Sequence, residues 1–149
     1  MNNEKDNVYD LVEDFYAHDE GWNTLLRQEY AEGFLRMEAW KGKKNSDLYR
    51  SWDNLTMLCL YLGSAETFLG DMNADDFIDC IAWCGRNISE FTPDYKNTQD
   101  FLETCDGLFK YLKGKNAISN DTVPDTAAEI LLQEGKMNII LPDGSFDEA

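Results

Sequence analysis

Apolar residues recur along most of this chain at intervals of three and four, the spacing that lines up one face of an α-helix. The clearest run is Leu48, Trp52, Leu55, Cys59 and Leu62. Val8, Leu11, Val12 and Phe15 define an earlier helix that Gly21 breaks. A second helix starts near Asn23, with Leu26, Tyr30, Phe34 and Met37 on one face, and fades into the polar loop Gly42-Lys43-Lys44-Asn45. Ser46 or Asp47 offers an N-cap for the helix after it, because a short side-chain oxygen can accept from the free amides of a first turn. Between Gly63 and Asn73 glycines punctuate the pattern, though Thr67, Phe68 and Leu69 are apolar enough for one more turn. Asn73 or Asp75 then caps a helix whose Phe77, Ile81, Cys84 and Ile88 share a face.

Thr92-Pro93 predicts another helix start, with Pro in the first position, where its missing N–H costs nothing. Thr98, Phe101, Cys105, Leu108, Phe109 and Leu112 follow. Gly107 weakens that helix by about 1 kcal/mol relative to alanine, and Gly114 is the expected left-handed cap. A last helix runs from Asp125 or Thr126 to Gln133, with Thr126 and Glu129 spaced as a capping box and Gly135 ending it. The tail, 136–149, changes character. Met137, Ile139 and Leu141 belong to a β-like stretch, and Pro142-Asp143-Gly144 is a turn signal. A lone strand is unstable, so this one must lie on the helices, form a hairpin or pair with another chain. The expectation is a mostly α fold. Residues 1–149 form a single-domain bundle of five to six helices with a short β-like C-terminal segment, and the short loops favour antiparallel neighbours.

Charge narrows the function. Among 149 residues are 29 acidic and 13 basic side chains, for a net −16. The first 75 residues hold 15 acidic and 7 basic, the rest 14 and 6, so each half carries −8. The acidity therefore belongs to a folded surface and not to a tail. It argues against direct nucleic-acid binding, which needs a basic footprint, and against anionic membrane surfaces. The eight Phe, seven Tyr and four Trp argue against disorder. No secretory leader or membrane-spanning run is visible, which points to a cytoplasmic, bacterial-type protein with reduced cysteines. Cys59, Cys80, Cys84 and Cys105 lie in apolar segments and read as small buried hydrophobes. The N-x-S/T triplets at Asn54, Asn87 and Asn120 are discounted without secretion.

No arrangement of residues demands chemistry. Cys80 and Cys84 share a helix face, but a zinc site needs further ligands and only distant Cys59, Cys105 and His18 remain. Asp71, Asn73 and Asp75 match three positions of a calcium loop; Asp76 replaces its glycine and Ala82 its bidentate Glu. His18, the lone histidine, sits at a solvated helix end, where it favours the helix dipole. The carboxylate pairs Glu13/Asp14, Asp75/Asp76 and Asp100/Glu103 read as solvent faces, and a catalytic pair would need burial to separate its pKa values. No cofactor or metal set is expected. Lys41, Lys43 and Lys44, with Arg50 nearby, form the only basic cluster; it reads as a loop that offsets local repulsion or as a contact to a phosphate or an acidic partner. Trp52 and Trp83 sit in or beside core stripes, whereas Trp22 and Trp40 flank helix ends, as lids on the core or as contact residues.

The stretch from Asp75 to Ile118 resembles the helical, SAM-like core-binding module of tyrosine recombinases and phage integrases. The matching elements are Phe77-Ile78 and Trp83, then Phe91-Thr92-Pro93, then Leu108 to Leu112 before a short turn and Ile118. The resemblance implies a small bundle of antiparallel helices. That module is basic where it clamps DNA, whereas this stretch is acidic, and no Arg, His and Tyr catalytic set follows Ile118. The resemblance therefore implies a scaffold for contacts without DNA clamping, and no site residues carry over.

The expectation is a non-enzymatic, acidic interaction module that binds another protein or itself as a homodimer. Its contact residues would be Trp22, Trp40 and the strand residues Met137, Ile139 and Leu141. A first alternative is a nucleic-acid mimic that inhibits a DNA- or RNA-binding protein. A second is a small carboxylate- or cation-dependent enzyme.

Overall fold

The computed structural model describes residues 7–18, 25–89, 91–92 and 95–133. Among these lie six α-helices and no strand: α1 (Val8–His18), α2 (Gln28–Trp40), α3 (Asn45–Ala65), α4 (Ala74–Asn87), α5 (Tyr95–Gly114) and α6 (Val123–Gln133), with a 3₁₀ turn at Leu69–Asp71. The expected helical bundle is what forms; the β-like tail lies outside the described residues. Among the described residues, no helix is long and apolar enough to cross a membrane. Backbone contacts cluster into two compact units, one ending at Leu69 and one beginning at Gly70, where the sequence reading treats 1–149 as one domain. Each set of three helices buries its apolar faces against its own sequence neighbours.

In the first unit α1, α2 and α3 pack pairwise. The α3 stripe Leu48, Trp52, Leu55, Cys59 and Leu62 is buried throughout, as its spacing predicts. The α1 stripe is rotated from the expected one: Val8, Val12 and Tyr16 are buried, while Leu11 is 41% exposed. Tyr16 has partners inside that Leu11 could not use. Its hydroxyl donates to the Leu26 carbonyl at 2.5 Å, its ring lies 6.5 Å from Trp52, and Phe15 stands edge-on to both rings. A buried tyrosine adds large apolar area and holds its place by a polar tip. α2 begins at Gln28 rather than near Asn23, because Arg27 is extended. Its core residues are Ala31, Phe34 and Leu35, with Tyr30 and Met37 only half-buried.

In the second unit α6 packs on both α4 and α5, burying Ala127 and Leu131. Phe77 of α4 meets Phe109 of α5 edge-on, with ring centroids 5.4 Å apart. Phe77, Ile81 and Cys84 are buried as expected, while Ile88 is the half-buried residue that closes α4. Asn73 and Asp76 form a reciprocal capping box, each side chain accepting from the other's amide at 2.9 Å. Lys110 bridges α5 to α6, bonded to Asp106 and lying 3.4 Å from Asp125. Bonding to Asp106 raises the Lys110 pKa.

Helix ends depart most from expectation. α3 starts at Asn45, and Asp47 works from inside its first turn, accepting from the Lys44 amide at 3.3 Å. Thr126 lies inside α6 and donates to the Thr122 carbonyl, so the Thr126–Glu129 box does not form. α5 is described from Tyr95, and Pro93 of the expected Thr92-Pro93 start lies outside the described residues. Three C-terminal ends share one device, a left-handed residue followed by an amide that reaches back five residues. The left-handed residues are Gly42 (φ 106°), Glu66 (φ 55°) and Asn116 (φ 61°). The returning bonds are Lys43 to Glu38 and Thr67 to Leu62, both 3.1 Å, and Ala117 to Leu112, 2.9 Å. Gly114 is not the left-handed residue: the Lys115 amide still reaches the Tyr111 carbonyl, so the reversal falls to Asn116. Asparagine tolerates that conformation; glutamate does not, at a cost of about 1 kcal/mol.

Two substitutions test this description by urea unfolding. Glu66→Gly is expected to stabilise the chain by about 1 kcal/mol, and Glu66→Ala, which keeps the strained Cβ, is expected to give no such gain. Thr98 is fully buried, and its Oγ1 has no hydrogen-bond partner. Thr98→Val is expected to stabilise by about 1 kcal/mol, since it removes an orphaned hydroxyl at nearly constant shape. A destabilised Thr98→Val would mean that the hydroxyl is satisfied in solution.

Candidate interaction surface

α2 turns its apolar face inward through Ala31, Phe34 and Leu35. At 3.6 residues per turn, Trp40 lies roughly 140° around the helix from Leu35, well off that face. It closes α2 with 87% of its surface exposed, the most open of the large apolar side chains described. Trp52, by contrast, is buried, and Trp83 is half-buried. Trp40 is therefore no lid on the core. Phe68, 57% exposed after α3, is the next most open.

Immediately after Trp40 come Lys41, Gly42, Lys43 and Lys44, all exposed. The positive φ at Gly42 lets the chain reverse within this loop. Among the described residues no carboxylate makes an ion pair with Lys41, Lys43 or Lys44. Most other cations are engaged: Arg27 with Glu29, Lys110 with Asp106 and Lys113 with Asp121, while Arg36 stacks 4.0 Å from the Tyr9 ring centroid. Of the two acids that flank the loop in sequence, Glu38 makes no ion pair with these lysines, and Asp47 is turned to the Lys44 amide and to Arg50 at 3.7 Å. The loop is thus a small island of uncompensated positive charge beside an exposed indole.

Elsewhere the chemistry-bearing groups are sealed or occupied. All four cysteines are buried, and none forms a disulfide. Burial pushes the Cys59 thiol up to about 12, partly offset by its hydrogen bond with Tyr16. Burial, with Cys59 alongside, likewise raises the Tyr16 phenol far above its usual value. Cys80 is raised by burial and by Cys84 and Cys105 beside it. Among the described residues no group of three or more potential ligands is placed to hold a metal ion. Asn73 and Asp76 spend their side chains on the α4 cap. The His18 Nδ1 lies 2.9 Å from the Asp14 carbonyl, in the last turn of α1. None of the expected carboxylate pairs is buried. An open depression at the head of α2 is lined by Arg27, Gln28, Glu29 and Glu32. These satisfy one another, Arg27 with Glu29 and Gln28 with Glu32.

Of the residues singled out from sequence, Trp22, Met137, Ile139 and Leu141 lie outside the described residues. Trp40 is open, and the structure adds that its lysine neighbours lack partners. Sequence reasoning missed the buried Tyr16 node, although Val8, Val12 and Tyr16 sit at i, i+4 and i+8. No family of proteins, no curated protein and no solved structure matches this chain.

The raised thiols of Cys59 and Cys80 carry a pH dependence. A raised folded-state pKa means that the unfolded chain ionises first, from the usual thiol value near 8.5. Above that pH the unfolded state binds fewer protons, so stability falls as pH rises from about 8 to about 11, by up to about 1.4 kcal/mol per unit for each such group. Urea unfolding across that range is expected to show the decline, with a shallower slope in Cys59→Ala. Equal slopes in the two proteins would show that Cys59 ionises as readily folded as unfolded.

Proposed function

We propose that this chain is a non-enzymatic helical interaction module whose contact surface is anchored on Trp40. The observation that carries the reading is an indole 87% exposed at a helix end. Tryptophan is among the residues that most often dominate binding energy at protein interfaces. Leaving it in water has a free-energy cost that covering it by a partner would recover. The buried thiols suit packing rather than nucleophilic attack, which needs an accessible thiolate. The net charge of −16 keeps such a module soluble while its apolar anchor stays open.

A second reading, an acidic decoy for a nucleic-acid-binding protein, draws on exposed carboxylates without ion-pair partners at Asp71, Asp75 and Glu129. Such a surface attracts a basic groove over long range, and salt weakens that attraction.

Placing the aromatic photo-crosslinker benzoylphenylalanine at position 40 of the full chain, where it keeps an apolar ring in place of the indole, in cells of its source, separates the two. Position 96, an exposed site on α5, serves as control. The interaction module is expected to give a discrete adduct from position 40 that persists when lysates are irradiated at high salt. Adducts equal at both positions, or confined to basic proteins and lost at high salt, would favour the decoy and overturn the first reading.

A further inference from the structure

We infer that the Trp40 surface recognises acidic peptide segments of a partner protein that carry an apolar side chain: the indole takes the apolar group, and Lys41, Lys43 and Lys44 take the flanking carboxylates. This rests on the interaction reading above and names the partner's chemistry. Three observations converge on it. The indole and the lysines are contiguous in the chain and all exposed, so one short segment can meet both. The lysines have no counter-ion among the described residues, so their pairing capacity there is unspent. From Ala39 to Ser46 the sequence holds three lysines and no acidic residue, in a protein of net −16. The patch is therefore a local reversal of sign.

The size of that reversal selects a short acidic segment over a nucleic acid. Four loop residues reach at most about 14 Å even if fully extended, not much beyond the roughly 8 Å over which charges act at physiological salt. A peptide with a few carboxylates ends within that range. A nucleic acid carries charge along its whole length and would run on over the surrounding carboxylates. The acidic remainder of the protein would also repel a partner aligned in other registers, which adds specificity to the contact.

Fluorescence anisotropy with labelled synthetic peptides and the full chain tests this. The probes are a ten-residue Asp/Glu peptide with a central Phe, the same peptide with Ala for Phe, a Gln-substituted neutral version with Phe, and oligo-dT. Only the acidic Phe peptide is expected to bind well, and more weakly as salt is raised. Trp40→Ala, and separately the triple variant Lys41→Gln, Lys43→Gln, Lys44→Gln, are each expected to weaken it at least tenfold. Lys115→Gln, at the end of α5, is expected to leave binding unchanged. The altered side chains are all exposed, and equal thermal melts will show that the variants fold.

Absence of binding by the acidic Phe peptide, equal binding by the neutral peptide, equal binding by the variants, or tighter binding by oligo-dT would each overturn the inference. Position-40 adducts with partners that contact the surface through neutral or basic segments would sink the acidic class while leaving the interaction reading standing. Sedimentation of the chain alone reports a further alternative, in which a second copy occupies the patch: self-association lost in both variants would overturn a separate acidic partner.

Discussion

Helices of 11 to 21 residues are marginal in water by themselves, and these must cover their apolar faces to persist. That requirement orders the structure. In the first unit α3 supplies the longest apolar stripe, and α1 and α2 are held against it. Tyr16 shows how far the demand reaches: its ring goes inside, and its hydroxyl must then find an acceptor, the Leu26 carbonyl. One hydrogen bond thereby ties the end of α1 to the approach of α2. In the second unit Phe77 against Phe109, and the buried face of α6, meet the same need.

Short connections add a second condition. Neighbouring helices fold back within a few residues only where the chain can enter the left-handed region. Gly42 does so freely, Asn116 at small cost, and Glu66 against its own preference. The reversal at Gly42 also makes the candidate surface. It ends α2 with Trp40 already rotated off the buried face, and starts α3 soon after, so three lysines occupy an exposed turn. Asp47, the acid that follows them, is committed to the first turn of α3.

The reactive side chains answer to packing. Four thiols lie inside helical faces, out of reach of solvent, and burial raises the pKa of Cys59 and Cys80. The Asp71-to-Asp76 stretch, which matches part of a calcium loop by spacing, serves to start α4. What stands open to a partner is an aromatic edge in a small positive field on an otherwise acidic protein.

Sequence alone determined that the described chain would be helical, and which side of α3 and α4 would face inward, because a strong period near 3.6 leaves one face apolar. It placed Trp40 at a helix end and the lysines in a loop. It did not determine the rotation of α1: Leu11 and Phe15 fit a stripe as well as Tyr16 does, and only the neighbouring Leu26 carbonyl and Trp52 ring decide among them. Nor did it locate the helix ends. A glycine at 114 is a good left-handed residue, but the Lys115 amide still bonds to the Tyr111 carbonyl, and the left-handed turn falls two residues after the glycine, at Asn116. The exposure of Trp40 and the solitude of the lysines were likewise decided by tertiary structure, because both depend on which neighbours come within a few ångströms, and a sequence does not record distance.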